Sequence, residues 1–379
     1  MKISGIICEY NPLHLGHIEH IKYTKSLGDT IVCVMSGNFV QRGAPACLDK
    51  YVRARHAIMA GADIVLELPI IYATASAEDF ALGAVRLLKA IKCNYLSFGS
   101  ECGNIELIKK CANELANPTE QLIQGIKTQM DSGKCYPVAV YTALTSIDSH
   151  YKFLNRPNNL LAVEYVKNII KQESAIIPVT MTRKDNYCNT ELLGDYVSSK
   201  AIRQHIESNP ELTEQYVPKY VHDDLRPTIN SKYKDFVHTY LNTISKQELS
   251  RITGVNEGLE NRILSCAKEG NYDLMMTALK TKRYTTVRLQ RIMLGALLGT
   301  SKRLVEFSKT MRPYTRVLAI SKDRMDLLTH LSQCSVSFPP NLSRRQKDVY
   351  ELDIRANDIF ASLNNKSGNK DLTMPLQKI

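Results

Sequence analysis

The chain contains no tryptophan. More telling, it contains no apolar run approaching the ~18 residues a membrane-spanning helix needs. Its start, MKISGIICEYNP, carries one lysine and then acidic and turn residues, so no secretory signal is expected. The ten cysteines (8, 33, 47, 93, 102, 111, 135, 188, 266 and 334) include no CxxC pair. That argues against a zinc module, and reduced thiols in a cytoplasmic protein are the default expectation. Neither an internal repeat nor a low-complexity tract is present. His14, His17 and His20 have no cysteine or carboxylate at metal-ligand spacing, so no protein-held metal is expected.

What the chain does have is positive charge. Forty-nine lysines and arginines oppose 38 aspartates and glutamates, a formal net charge of +11. An excess of this size suits a polyanionic partner, because cations that neutralise phosphates release condensed counterions. With 379 residues, 44% of them hydrophobic, the chain can bury a sizeable core, and its length favours two domains.

The first half alternates strand and helix patterns. Strands are expected at 2–8, 30–35, 62–68, 95–98 and 175–182, with helices from Gly16, over 48–60, over 76–91 and from Leu160. There, Arg156-Pro157-Asn158-Asn159 reads as a cap. Continuous apolar strands between helices predict an α/β fold: a Rossmann-like parallel sheet with helices on both faces. A boundary is expected near residue 210, followed by a mainly helical, basic domain over 211–379. That part includes one further candidate strand at 315–321 and a frayed polar tail from Asn364.

Ligands in such sheets bind beyond the carboxyl ends of the strands. The first strand runs into Glu9-Tyr10-Asn11-Pro12-Leu13-His14-Leu15-Gly16-His17, a tight Asn-Pro turn that opens a helix on two histidines. Helix N-termini offer unpaired N–H groups and partial positive charge to phosphate. Gly16 permits close backbone approach. His14 and His17 can donate to phosphate oxygens as negative charge moves during transfer. The segment therefore reads as a nucleotide-activating site.

Further candidates follow later strands. Gly99-Ser100-Glu101 can let a base or ribose lie on the backbone. Arg183 stands where a guanidinium would stabilise departing pyrophosphate. Ser198 and Ser199 open a helix with Arg203 one turn on, a second phosphate-binding pattern. Ser36 to Gly43 suits a substrate-facing loop, with Gln41 or Arg42 toward a second substrate. In the second half, Lys282, Arg283, Tyr284, Arg288 and Arg291 form the best basic patch. Arg288 and Arg291 share a helical face, and Tyr284 is placed to stack on an unpaired RNA base.

CEYNPLHLGH resembles the signature of the nucleotidyltransferase-like HIGH superfamily, with Asn11 where Asp is more usual, and SSKAIR resembles its later serine-arginine element. In this order, EYNPLHLGH, MSGNFVQRG, LELP, FGSE, RPNN and TKRYTTVRLQR together resemble the tRNA(Met) cytidine acetate ligase family. The resemblance runs from Ile3 to about Ile320. It implies adenylation of acetate by ATP, then transfer of acetyl to the N4 amine of the wobble cytidine in elongator tRNA(Met). It also places ATP contacts on Ile7, Cys8, Glu9, Tyr10, Asn11, Pro12, Leu13, His14, Leu15, Gly16, His17, Ile18, Glu19 and His20. Gly99, Asn159 (or its neighbour Asn158) and Arg183 complete that set. Residue reading adds Ser198 and Ser199 to the ATP site and makes His14, His17, Arg183 and Arg203 the catalytic candidates. Mg²⁺ carried by the ATP phosphates would leave little trace in the sequence. Two other readings compete: a small-molecule adenylyltransferase, which leaves the basic half idle, and a non-enzymatic RNA-binding protein.

Overall fold

The computed structural model describes residues 1–183, 192, 196–281, 283–339 and 341–379. Its centre is a seven-stranded sheet built from β1 (Ile3–Cys8), β2 (Thr30–Ser36), β3 (Ile64–Leu68), β4 (Tyr95–Ser100), β5 (Ile177–Thr182), β6 (Val317–Ile320) and β7 (Gln377–Lys378). The spatial order is β5-β4-β1-β2-β3-β6-β7. β1, β2, β3, β4 and β5 are mutually parallel, with Ile6 opposite Cys33 and Cys33 opposite Val65. β2 and β3 are buried along their whole length, as continuous apolar strands covered on both faces must be.

Five expected strands lie where the apolar runs put them, their ends shifted by up to two residues. β6 pairs antiparallel with β3, so the sheet is mostly rather than wholly parallel. β6 and β7 come from beyond residue 211, so the helical C-terminal portion also completes the sheet. The tail corrects its expectation. Residues 370–373 form a helical turn, β7 pairs with β6, and Asp371 is only 2% exposed. Its carboxylate lies 2.8 Å from Lys50 Nζ, which also binds Glu67 at 2.7 Å. A buried lysine needs carboxylate partners, and this one recruits the tail.

Helix α1 (Leu15–Lys25) follows β1, α2 (Lys50–Met59) follows β2, and α3 (Ala77–Ala90) follows β3. α4 spans Pro157–Lys171, beginning three residues before the expected Leu160. Pro157 at its first position is pre-set for helix and lacks only an N–H that would go unpaired. The asparagines are therefore inside the first turn rather than a cap before it. Among the described residues, no helix is long and apolar enough to cross a membrane.

Candidate active site

A cleft opens beyond the carboxyl ends of β1 and β4. It brings together Ile7, Cys8, Glu9, Tyr10, Asn11, His14, His17, His20, Gly99, Arg183 and, from the later helix, Ser199 and Arg203. Gly16 and Glu19 line an adjoining pocket that shares His14, His17, His20, Gly99 and Arg183. Pro12, Leu13, Leu15, Ile18, Asn159 and Ser198 line neither. Leu13 is wholly buried in the core and Ile18 packs against it, because one face of a helix must be given to packing. Arg42, Arg183, Lys200 and Arg203 bring positive charge to the cleft, and Glu9 is the only carboxylate among its described lining residues.

The histidines form one unit. His14 is the N-cap of α1, and its backbone N–H donates to His17 Nδ1 at 3.2 Å. A backbone N–H can only donate, so Nδ1 is an acceptor and the neutral ring carries its proton on Nε2. The two imidazoles stack with centroids 3.7 Å apart, and Tyr10 meets His17 edge-on at 5.0 Å. Burial, then the positive charges of His14, Arg183 and His20, hold His17 well below the usual histidine range. It is therefore a neutral Nε2–H donor at pH 7. Burial and Arg183 likewise lower His20 to about 4, and its Nε2 lies 2.9 Å from Ser97 Oγ.

Gly16 has a reason beyond substrate approach. A Cβ there would lie 3.0 Å from His14 Cε1, so the missing side chain makes room for the stacked ring. Gly99 is similar, since its Cβ would lie 3.0 Å from Arg183 Cγ. The aliphatic stem of Arg183 thus crosses the end of β4. Tyr10 takes the left-handed conformation at φ 44°, uncommon for a bulky residue.

The turn after β1 is tied down from two sides. Arg203 donates to the Asn11 carbonyl, and Ser199 Oγ donates to Pro12 O at 3.1 Å. Ser198 Oγ accepts Ala201 N–H at 3.2 Å, so this serine caps its helix. From below, the fully buried Arg53 donates to the carbonyls of Glu9 (2.6 Å), Ser36 (3.1 Å) and Gly37. It gathers the ends of β1 and β2. Sequence reading missed Arg53, which looks like any arginine on an amphipathic helix with an acidic residue, Asp49, one turn before it.

Asn158 lines the cleft, whereas Asn159 is 2% exposed. Asn159 accepts from Cys102 N at 3.0 Å and donates to Phe153 O at 2.8 Å. The Glu101 carboxylate accepts the backbone N–H groups of Asn158 and Asn159 at 3.2 and 2.8 Å. FGSE thereby caps the helix that RPNN begins, and a carboxylate there also favours the helix dipole.

Gln41 and Arg42 reach the cleft. Phe39 does not, being wholly buried between Tyr233 and Phe360, so its apolarity serves the core. Lys200 and Tyr165 also line the cleft and were missed. A lysine inside SSKAIR and a tyrosine on an apolar helix face carry no distinguishing pattern.

The basic patch is more engaged than its sequence suggests. Lys282 lies outside the described residues. Arg283 pairs with Glu257 at 2.7 Å, and the Arg288 guanidinium lies 4.9 Å from the Tyr284 ring centre. Arg291 is half-buried, and burial lowers its affinity for a proton. Its backbone nitrogen would be 2.7 Å from a Cβ on Gly43.

The family model described as HIGH Nucleotidyl Transferase matches residues 1–374. A tRNA(Met) cytidine acetate ligase of Clostridium perfringens is 38% identical, over 96% of each chain. One from a Thermoanaerobacter species is 35% identical over the full length of both. Among solved structures, Thermotoga maritima TmcAL superposes with a TM-score of 0.93 at 28% identity, covering both chains completely. The same protein bound with alpha-thio ATP gives 0.91.

Proposed function

This chain belongs to the HIGH nucleotidyl transferase family and, within it, to the tRNA(Met) cytidine acetate ligases, and we infer how its cleft performs that ATP-dependent reaction. Acetate is already ionised at neutral pH. Its oxygen attacks the α-phosphorus of ATP, the Pα–O–Pβ bond breaks, and pyrophosphate leaves with acetyl-adenylate remaining. The N4 amine of the wobble cytidine of elongator tRNA(Met) then takes the acetyl group. Positioning and charge stabilisation dominate the first step.

One observation carries the reading: the His14–His17 stack at the α1 N-terminus shares its cleft with Arg183 and Arg203. His17 Nε2–H and the helix N-terminus meet the α-phosphate, and the two arginines hold the leaving pyrophosphate. ATP fits a cleft whose described lining residues include four cationic side chains and one carboxylate. The alpha-thio ATP bound by the Thermotoga maritima protein supports the same choice. No group of three or more His, Cys, Asp or Glu gathers at metal distance among the described residues. Mg²⁺ fits as a companion of the phosphates, lowering their charge. The helical basic portion from about 211 onward, Arg283 and Arg288 included, meets the tRNA in this reading.

The test is ATP–pyrophosphate exchange with the purified chain. Exchange that requires acetate, together with N4-acetylcytidine at the wobble position of added tRNA(Met), is expected. Exchange driven instead by a phosphorylated metabolite would make the protein a small-molecule adenylyltransferase.

A further inference from the structure

Glu9 is out of place in a cleft built for a triphosphate. Among the described lining residues its charged neighbours are all cationic, namely Arg42, Arg183, Lys200 and Arg203, and a carboxylate there repels phosphate oxygens. It is nonetheless held firmly. Its Oε1 accepts the Gln41 N–H at 2.9 Å, and its own carbonyl accepts from Arg53 at 2.6 Å. Oε2 accepts no hydrogen bond among the described residues. The carboxylate is thus pinned by one oxygen at the mouth of β1, beside the Gln41–Arg42 loop and across from Tyr165 on α4. A group so placed suits a hydrogen-bond donor on the substrate side, which phosphate and acetate lack and a nucleobase amine or a ribose hydroxyl has.

We propose that Glu9 is the residue that receives the exocyclic amine of the target cytosine and takes its proton during acetyl transfer. The inference rests on the ligase reading above. Cytosine presents N4–H₂ as a donor beside the acceptors N3 and O2, and a carboxylate is the natural acceptor for N4. Gln41 and Arg42, from the loop that already binds Glu9, supply donors for N3 and O2. The cytosine amine is a weak nucleophile whose lone pair is delocalised into the ring. As its nitrogen attacks the acetyl carbon, the C–N bond forms and one N–H proton must leave. Glu9 accepts that proton, the bond from the acetyl carbon to the adenylate oxygen breaks, and AMP departs with the electron pair. The arrangement also selects the base, because a uracil carbonyl oxygen would face the carboxylate with no hydrogen to share.

The experiment separates the two half-reactions in the full chain. Glu9→Gln keeps the shape and the hydrogen bond from Gln41, but it is a poor proton acceptor. The readout is transfer relative to acetate-dependent ATP–pyrophosphate exchange, both measured on the same variant. Single-turnover acetyl transfer to a tRNA(Met) transcript should fall by ~10²-fold or more, the range of a lost general base. Glu9→Asp is expected to recover part of the transfer rate, with a shifted pH profile, and it stands in should Glu9→Gln fail to fold. Equal loss of exchange and transfer would make Glu9 a nucleotide contact and overturn the proposal. So would undiminished transfer. If the parent protein itself shows no acetate-dependent exchange, the ligase reading fails first, and the two failures are told apart.

Discussion

A methyl group on Gly16 would stand 3.0 Å from Cε1 and 3.1 Å from Nδ1 of His14, so the glycine of the HxGH segment exists as much for its neighbouring histidine as for any ligand. The contact is tighter than ordinary packing allows, and His14 has His17 stacked beside it at 3.7 Å.

Gly16→Ala therefore pits helix propensity against the site. Alanine gains at the second residue of α1 only part of the ~1 kcal/mol of a helix interior, and the His14 contact offsets it, so the melting temperature should change little. Displacing His14 from its stack should lower acetate-dependent exchange by ~100-fold, on the scale of a mispositioned group. A variant that is both less stable and fully active would contradict this account of the glycine.

His17→Ala should abolish acetyl-adenylate formation while leaving tRNA affinity unchanged, as measured by filter binding. Arg288→Ala should weaken tRNA binding and flatten its salt dependence by about one unit of slope. Arg291→Ala should instead register as a lowered melting temperature, because that side chain is half-buried and burial already opposes its charge.

The half-buried His20 predicts a pH dependence of definite sign. His20 titrates near 4 in the fold and near 6.5 when unfolded. Between those values the unfolded state binds the proton and the native state does not, so stability is intact above pH 6.5 and falls as the pH drops toward 4. The loss approaches roughly 3 kcal/mol. Denaturant midpoints at pH 7.5 and 4.5 should show a smaller drop in His20→Asn than in the parent.

Lys50 holds the C-terminal tail. Burial opposes its charge, but Glu67 and Asp371 outweigh burial and keep it protonated. Asp371→Ala leaves a buried ammonium with one carboxylate, and a cost of about 3 kcal/mol is expected. Urea unfolding checks it, and exchange activity at low temperature should survive, since Asp371 is no part of the cleft.

Much of the fold was legible because it is local. Apolar runs of five to seven residues announced β1, β2 and β3. The histidine turn sat where a strand gives way to a helix. Arg53 was illegible for the opposite reason. Its worth lies in three carbonyls that the sheet brings together, one of them 44 residues away in sequence. Glu101 was read with Gly99 and Ser100 as backbone for a base or ribose, and its capping of α4 spans 58 positions.

The sequence by itself determined the strand–helix alternation, the HxGH segment at a helix start and the excess of positive charge, all properties of residues close in the chain. Only the tertiary structure decided that Asn158 rather than Asn159 faces the cleft, that Arg291 is packed rather than presented, and that the tail returns to pair Asp371 with Lys50 across 321 residues. The physical reason is common to all three. Burying a polar or charged group demands a partner, and which partner is within reach is settled by how the whole chain packs, not by its neighbours in sequence.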